Sequence, residues 1–273
     1  MPNNITTTEA DVFIPEIWSK ETLADTESKL VLGKLAWDFS KESSDGDTIH
    51  VPSLSNLVAN DKVKNVKVQM QAPTETNTDI SLDTHKEVSF LIEDMAATQA
   101  RRDLRAPYTK KAGYALAKAM DSDLATLAAS FSQTKGTYNT AITTDVVLDS
   151  IELLDTADAP EEERYFVFRP DVKRDLLDLA AYTSSDYVGG RPVETGSIGS
   201  LYGVDTYMSM NIAKSGNNTN NMLFQKEAIA LAKQKDVRVQ SEYSVEDLGW
   251  ITVADCIYGV KEMRDDHAVL VKT

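Results

Sequence analysis

The sequence predicts an α+β fold, and three observations carry that reading. Polar–apolar alternation over residues 46–92 marks extended strands. A helical apolar stripe over residues 112–131 marks one long helix. The C-terminal third returns to short strand-like runs, so the chain combines extended strands with a few helices.

Residues 1–12 are polar and read as a loose start. Pro15 opens a helical pattern whose apolar members are Ile17, Trp18, Leu23, Leu30, Leu32, Leu35, Trp37 and Phe39. It reads equally as a helix packed on its own domain and as an arm laid across a neighbour, since aromatic residues are favoured interface anchors. Ser43-Ser44-Asp45-Gly46 is a turn signal. A long hairpin follows, from Asp47 to Ile92, with alternation at Ile49 and Val51, at Val66, Val68 and Met70, and at Val88, Phe90 and Ile92. Each arm reaches ~55 Å at ~3.3 Å per residue if fully extended. Its tip has no evident partner, and a lone two-stranded arm is marginal in water. A second copy of the chain is the economical cover.

A helix then runs to about Phe131, with Pro107 in its first turn or at a kink and a shorter helical piece from Glu93 to Leu104 before it. Its stripe is Ala112, Ala115, Leu116, Ala119, Met120, Leu124, Leu127, Ala128 and Phe131, about 26 residues and ~39 Å of rod. Gly136 is expected to end it. Residues 145–158 form another helix, capped by Thr144 or Asp145 and stopped by Pro160. Arg164–Phe168 is a short buried strand, and Pro170 starts a helix carrying Val172, Leu176, Leu177 and Leu179 inward. A Ser-, Gly- and Asp-rich loop covers Thr183–Ser200. Leu201–Met210 is a strand interrupted at Gly203, Ser215–Asn221 a tight polar loop, and strand-like runs close the chain at 237–239, 250–253, 256–260 and 268–271.

The chain of 273 residues is large enough for one sizeable core or two intimate subdomains. No apolar run is long enough to span a membrane, and the N-terminus lacks the pattern of a signal peptide. The lone Cys256 cannot form an internal disulfide. The net charge of −15 disfavours tight sequence-independent nucleic-acid binding. That charge is uneven. Asp145, Asp149, Glu152, Asp155, Asp158, Glu161, Glu162 and Glu163 form an acidic run with no base, while Arg101, Arg102, Arg105, Lys110, Lys111 and Lys118 face only Asp103. These are solvated faces, complementary subunit surfaces, or a basic inner face toward packaged nucleic acid.

No chemistry rivals assembly. His50, His85 and His267 form no catalytic or zinc pattern, although His50 and His85 are expected on opposing hairpin arms. There is no nucleophile elbow, and the glycine-rich run 189–197 lacks the lysine and spacing of a phosphate loop. Asp121 with Asp123, and Asp265 with Asp266, are the nearest paired carboxylates and read as solvated charge, because positions two apart on a helix do not share a face. Cys256 reads as inert packing. No enzyme activity, cofactor or metal is expected.

The order of parts resembles the major capsid proteins of tailed bacteriophages, with the Hong-Kong-97-type fold: an arm, an extended hairpin, a spine helix, and an α/β unit returning to a C-terminal strand. Gly199-Ser200-Leu201-Tyr202-Gly203-Val204-Asp205-Thr206-Tyr207, Asn221–Ala232, and Tyr258–Arg264 with Ala268–Val271 resemble that family's later strands. The resemblance covers the chain from about residue 12. It implies an N-terminal arm at 1–45, a hairpin loop at 46–92, a spine helix and first peripheral part at 93–140, an axial domain at 141–240 and a second peripheral part at 241–273.

It further implies an icosahedral shell of hexamers and pentamers around double-stranded DNA, made in the host cytoplasm, with scaffolding and portal proteins as partners and no membrane. The residues expected at subunit contacts are Trp18, Val58, Lys62, Lys64, Lys67, Met70, Arg101, Arg102, Arg105, Tyr187 and Arg191. Some members cross-link a hairpin lysine to a late asparagine. No asparagine follows Asn221, so no such bond is expected. An encapsulin-like compartment shares the implied fold, and a non-shell virion or adhesion component is a more distant alternative.

Overall fold

The computed structural model describes residues 31–43, 46–54, 57–68, 70–73, 75–94, 105–178 and 199–273. A one-turn helix α1 (Leu32–Leu35) leads to a short strand β1 (Trp37–Asp38). Strands β2 (Thr48–Leu54) and β3 (Glu75–Ser81) pair antiparallel, and β4 (Thr84–Glu93) follows. The long helix α2 (Arg105–Thr126) ends in a 3₁₀ turn at Leu127–Ala129 and leads to β5 (Gln133–Gly136). Then come α3 (Thr144–Thr156), β6 (Arg164–Phe168), α4 (Pro170–Asp178), β7 (Ser200–Leu201), β8 (Val204–Met208), β9 (Lys214–Ser215) and β10 (Asn218–Gln225). The chain closes with β11 (Ile229–Ser244), β12 (Gly249–Glu262) and β13 (Ala268–Lys272).

Two sheets organise these elements. One has the order β1-β11-β12-β4. The other runs β5-β13-β10-β6-β8-β7, with β9 on β10. Helix α2 lies on the first sheet because its buried face repeats at helical spacing: Ala112, Leu116, Met120, Leu124 and Ala128 meet Ala254, Cys256 and Tyr258 of β12. The alanines let helix and sheet approach closely, and each buried Leu contributes ~1.5–3 kcal/mol. In β6 the two-residue period splits the strand between two cores. Val167 joins the α2 core, while Phe166 and Phe168 face Leu154 of α3 and Leu176 of α4. Helix α3 is capped one residue earlier than expected, with Thr143 Oγ1 accepting from Val146 N at 3.4 Å.

Several expectations change. The hairpin is shorter than Asp47–Ile92: β2 pairs with β3, residue for residue from Thr48↔Ser81 to Leu54↔Glu75. The alternating Val88, Phe90 and Ile92 belong to β4, whose partner is β12. Val66 and Val68 alternate like a strand yet pair with none. Trp37 lies in β1, parallel to β11, and Phe39 follows directly, so the helical pattern stops at Leu35. Glu93 ends β4 and does not begin a helix. Gly136 ends β5, with φ of 80° and a Lys272 carbonyl oxygen 2.3 Å from where a Cβ would sit. The polar loop is also shorter than expected, since Asn218–Asn221 already pair within β10. The helix opened by Pro15, the helical piece 95–104 and the loop 183–198 lie outside the described residues.

Candidate assembly surface

The hairpin base is fastened to the body. Ile49 of β2 and Ile80 of β3 pack with Phe39, Leu82, Ala230 and Ala232, with Trp37, Val51 and Met263 at the edge. Leu82 N donates to Asp47 O at 2.8 Å, and Gln234 Nε2 donates to Gly46 O at 2.6 Å. The base lies so close to β12 that a Cβ on Gly259 would sit 2.1 Å from Ser81 O. Only glycine permits that approach.

Between Leu54 and Glu75 none of the described residues has a sheet neighbour. Gln71 bridges the two sides there: its Oε1 accepts from Val58 N at 2.9 Å, and its Nε2 donates to Val58 O. A tight turn at Val63–Val66, with Asn65 at φ 66°, is closed by Val66 N donating to Val63 O at 3.3 Å. Lys62 Nζ donates to the carbonyl oxygens of both ends of this turn, Val63 O at 2.6 Å and Val66 O. Around this turn Leu57, Val58, Val63, Val66, Val68 and Met70 are exposed, Met70 at 93%. So many apolar side chains on one protruding element exceed the scattered apolar exposure of an ordinary surface.

The charged groups flagged by the sequence are structural. His50 and His85 do not meet: His50 Nδ1 lies 2.6 Å from Asp79 Oδ1 on β3, and His85 Nε2 lies 3.0 Å from Asp255 Oδ2 on β12. Asp255 also holds Arg238 Nε at 2.7 Å, so one carboxylate ties three strands. The Arg238 guanidinium, with His85, holds that carboxyl at about 2 despite burial. Asp121 is buried, and Asp123 is half-buried and engaged by other side chains. Asp121 is 2% exposed and accepts from Val31 N at 3.2 Å, Gly33 N at 3.1 Å and Asn211 Nδ2 at 2.8 Å. It caps α1 from another helix and joins the incoming chain to α2 and to the segment after β8.

Asp123 accepts from Tyr258 OH at 2.7 Å and pairs with Lys86 at 3.3 Å. Burial, with that bond, pushes the Tyr258 phenol up. Asp265 is not simply solvated either, since its Oδ1 accepts from Ser132 N at 2.7 Å. Cys256 is buried, and burial pushes its thiol up. Among the described residues no cluster of three or more His, Cys, Asp or Glu could hold a metal.

The structure therefore gathers part of the expected contact set. Val58, Lys62, Lys64, Lys67 and Met70 lie together on the exposed tip. Lys62 is engaged by its own turn, which leaves Lys64 and Lys67 as the outward amines. Arg105 opens α2. Trp18, Arg101, Arg102, Tyr187 and Arg191 lie outside the described residues. Asp121 is the residue the sequence reading singled out and misread, as solvated charge. Its signal was present, since it falls on the same helix face as the buried Ala125 and Ala128.

Comparison with known proteins matches this arrangement. A family model described as phage capsid protein matches residues 33–271. No curated protein matches the chain. Among solved structures, one from Mycobacterium phage Che8 superposes with a TM-score of 0.82 at 23% identity, covering 95% of this chain and 97% of that one. The capsid structure of cyanophage P-SCSP1u gives 0.82 at 18% identity, covering 99% and 96%. The capsid of an empty GTA particle, computed with C5 symmetry, gives 0.68 at 13% identity, covering 100% and 99%. The fold is thus the α+β capsid fold the sequence predicts, and the family match spans almost the whole chain: this protein belongs to the phage capsid protein family and is a structural coat protein of the virion.

Proposed function

We propose that the chain assembles with copies of itself into a closed icosahedral shell of hexamers and pentamers around double-stranded DNA. The observation that carries this is the hairpin: a base fixed by Gly259 and the Ile49–Ile80 cluster, and a tip of exposed Leu, Val and Met that none of the described residues covers. Covering those side chains on a neighbour returns the apolar area that the fold leaves in water, and each weak contact multiplies over a closed lattice. The rigid base sets the direction in which the tip reaches.

The expected axial boundary at 240 falls inside β11, which pairs with β12 along its length, so in this reading α2 with β4, β11 and β12 forms the peripheral part. The unit of β6, β7, β8 and β10 with α3 and α4 forms the axial part, whose loop 183–198 meets its copies at the symmetry axes. Arg101, Arg102 and Arg105 face an inter-subunit or inner surface, and the DNA is held without sequence specificity. Scaffolding and portal proteins are the partners of assembly in the host cytoplasm. No covalent cross-link forms, because no asparagine follows Asn221 to accept a hairpin lysine.

Deleting Asn56–Thr76 tests the reading. The trimmed subunit should remain folded and soluble and form no closed shells in negative-stain micrographs, where the intact chain forms them. Particles of normal size from the trimmed chain would refute the hairpin's role. Protein cargo in place of DNA inside the shells would favour an encapsulin-like compartment.

A further inference from the structure

Asp145 and Glu152 of the acidic run, and Lys111 and Lys118 of the basic run, fall on two exposed helix faces with matching spacing. On α3, Asp145, Leu148 and Glu152 are exposed on one face, and Leu148 is 42% exposed despite its apolar side chain. On α2, read backwards, Lys118, Ala115 and Lys111 are exposed on one face. Both series step by three and then four residues, the spacing of neighbours on a helix surface. Neither face serves its own chain's core: α3 buries Val147 and Leu154 on its other side, and α2 buries Leu116 and Leu124 on its other side.

We propose that these faces dock on each other between neighbouring copies, α3 of one chain lying antiparallel on α2 of the next. In that register Asp145 meets Lys118, Leu148 meets Ala115, and Glu152 meets Lys111. The charges in each series are two turns, ~10.5 Å, apart, so both ion pairs form without bending either helix. Leu148 is the knob, and Ala115, with its single methyl, is the shallow position that receives it at an interaxial distance of ~8–10 Å. One turn further on, the exposed Tyr108 falls opposite Asp155.

The two faces differ, so the contact is heterologous and passes from copy to copy, closing into a ring when the rotation allows. It rests on the reading that the chain self-associates but does not require a closed shell. The other occupant available to the lysine stripe is nucleic acid. The matched acidic stripe, the apolar Leu148 at its centre and the net charge of −15 favour a second copy.

Disulfide capture tests the register. The chain's own Cys256 is buried and stays out of the reaction. A mixture of Leu148→Cys and Ala115→Cys chains, mildly oxidised after assembly, should give covalent dimers, since facing Cβ atoms ~4 Å apart suit a disulfide. The double variant should give a ladder, and neither single variant alone should cross-link. No dimer in the mixture, or self-pairing of Leu148→Cys, overturns the proposal.

Charge reversal is the second arm. Lys111→Glu with Lys118→Glu should weaken subunit association about tenfold, as expected for two surface pairs turned repulsive. Adding Asp145→Lys and Glu152→Lys in the same chain should restore it. A four-fold variant as defective as the lysine pair overturns the proposal and is the outcome if the lysines hold nucleic acid. Rings or small oligomers carrying the disulfide, without closed particles, would leave this contact standing and refute the shell.

Discussion

Asp121 offers the sharpest single-residue test of how the chain is held together. Its Oδ1 accepts from Val31 N at 3.2 Å and Gly33 N at 3.1 Å, and its Oδ2 accepts from Asn211 Nδ2 at 2.8 Å. Alanine at this position strands three donors, of which those of Val31 and Asn211 are buried. A hydrogen bond to a charged acceptor contributes ~1.5–3 kcal/mol, and a buried donor left alone costs a similar amount. Because the three share one acceptor group they do not add fully, and a loss of ~3–5 kcal/mol follows for Asp121→Ala.

Asp121→Asn keeps one oxygen for the two backbone donors, and Asn211 can turn its amide to offer oxygen to the new NH₂. That variant should lose only ~1–2 kcal/mol. Urea unfolding of dispersed subunits by circular dichroism separates the two. In a thermal melt the alanine variant should fall by roughly 10 °C, taking ~2–4 °C per kcal/mol at this size. Limited proteolysis should also cut the alanine variant faster near residue 31, where the cap is lost. Equal stabilities for alanine and asparagine, or an unchanged alanine variant, would refute the capping role.

Gly259→Ala should destabilise by ~1–3 kcal/mol, because its Cβ would sit 2.1 Å from Ser81 O and force the hairpin base off β12; unfolding curves check it. Asp255 has its carboxyl lowered to about 2. Its contribution to stability is therefore complete above the ordinary carboxylate range and lost as pH falls from about 4 through about 2. Asp255→Asn should remove that part of the acid dependence, seen as a flatter denaturant midpoint over the same pH window. Arg101→Ala, Arg102→Ala and Arg105→Ala together should weaken assembly or packaging in a salt-sensitive way, read as particle yield against ionic strength. Denaturing gels of mature particles should show monomers only, and a covalent ladder would contradict the absence of a late asparagine acceptor.

Where local pattern and burial coincide, the fold was legible in the sequence. Arg164–Phe168 is a strand with its predicted bounds, because a short apolar run between polar turns has few other uses. The α2 stripe was legible because seven of its nine positions, Ala112, Leu116, Met120, Leu124, Leu127, Ala128 and Phe131, pack into one core at helical spacing, while Ala115 is exposed. Alternation told which face a residue takes but not which strand it pairs with. Val88, Phe90 and Ile92 alternate correctly, yet their partner β12 lies some 160 residues later in the chain. Val66 and Val68 alternate and pair with nothing.

The long β11 and β12 read as fragments because polar residues such as Lys233, Lys235 and Asp255 interrupt their apolar pattern. Bulges absorb the first two, and cross-strand charge satisfies the third. The candidate surface was legible in its tip residues, since exposed Val, Met and Lys need no tertiary knowledge to notice. Lys62 is engaged one and four residues on, by a turn the alternating pattern did not mark, whereas the partners that hold Asp121 lie as many as 90 residues away in the chain.

The central claim is that the hairpin tip is covered only when copies assemble. Hydrogen exchange by mass spectrometry, on dispersed subunits and on assembled particles of the same protein, measures that directly. Amides from Leu57 to Ala72 should exchange within seconds in the subunit, apart from Val58 and Val66, which are bonded there. In particles they should become strongly protected. Exchange across the tip that is as fast in particles as in subunits would contradict the account.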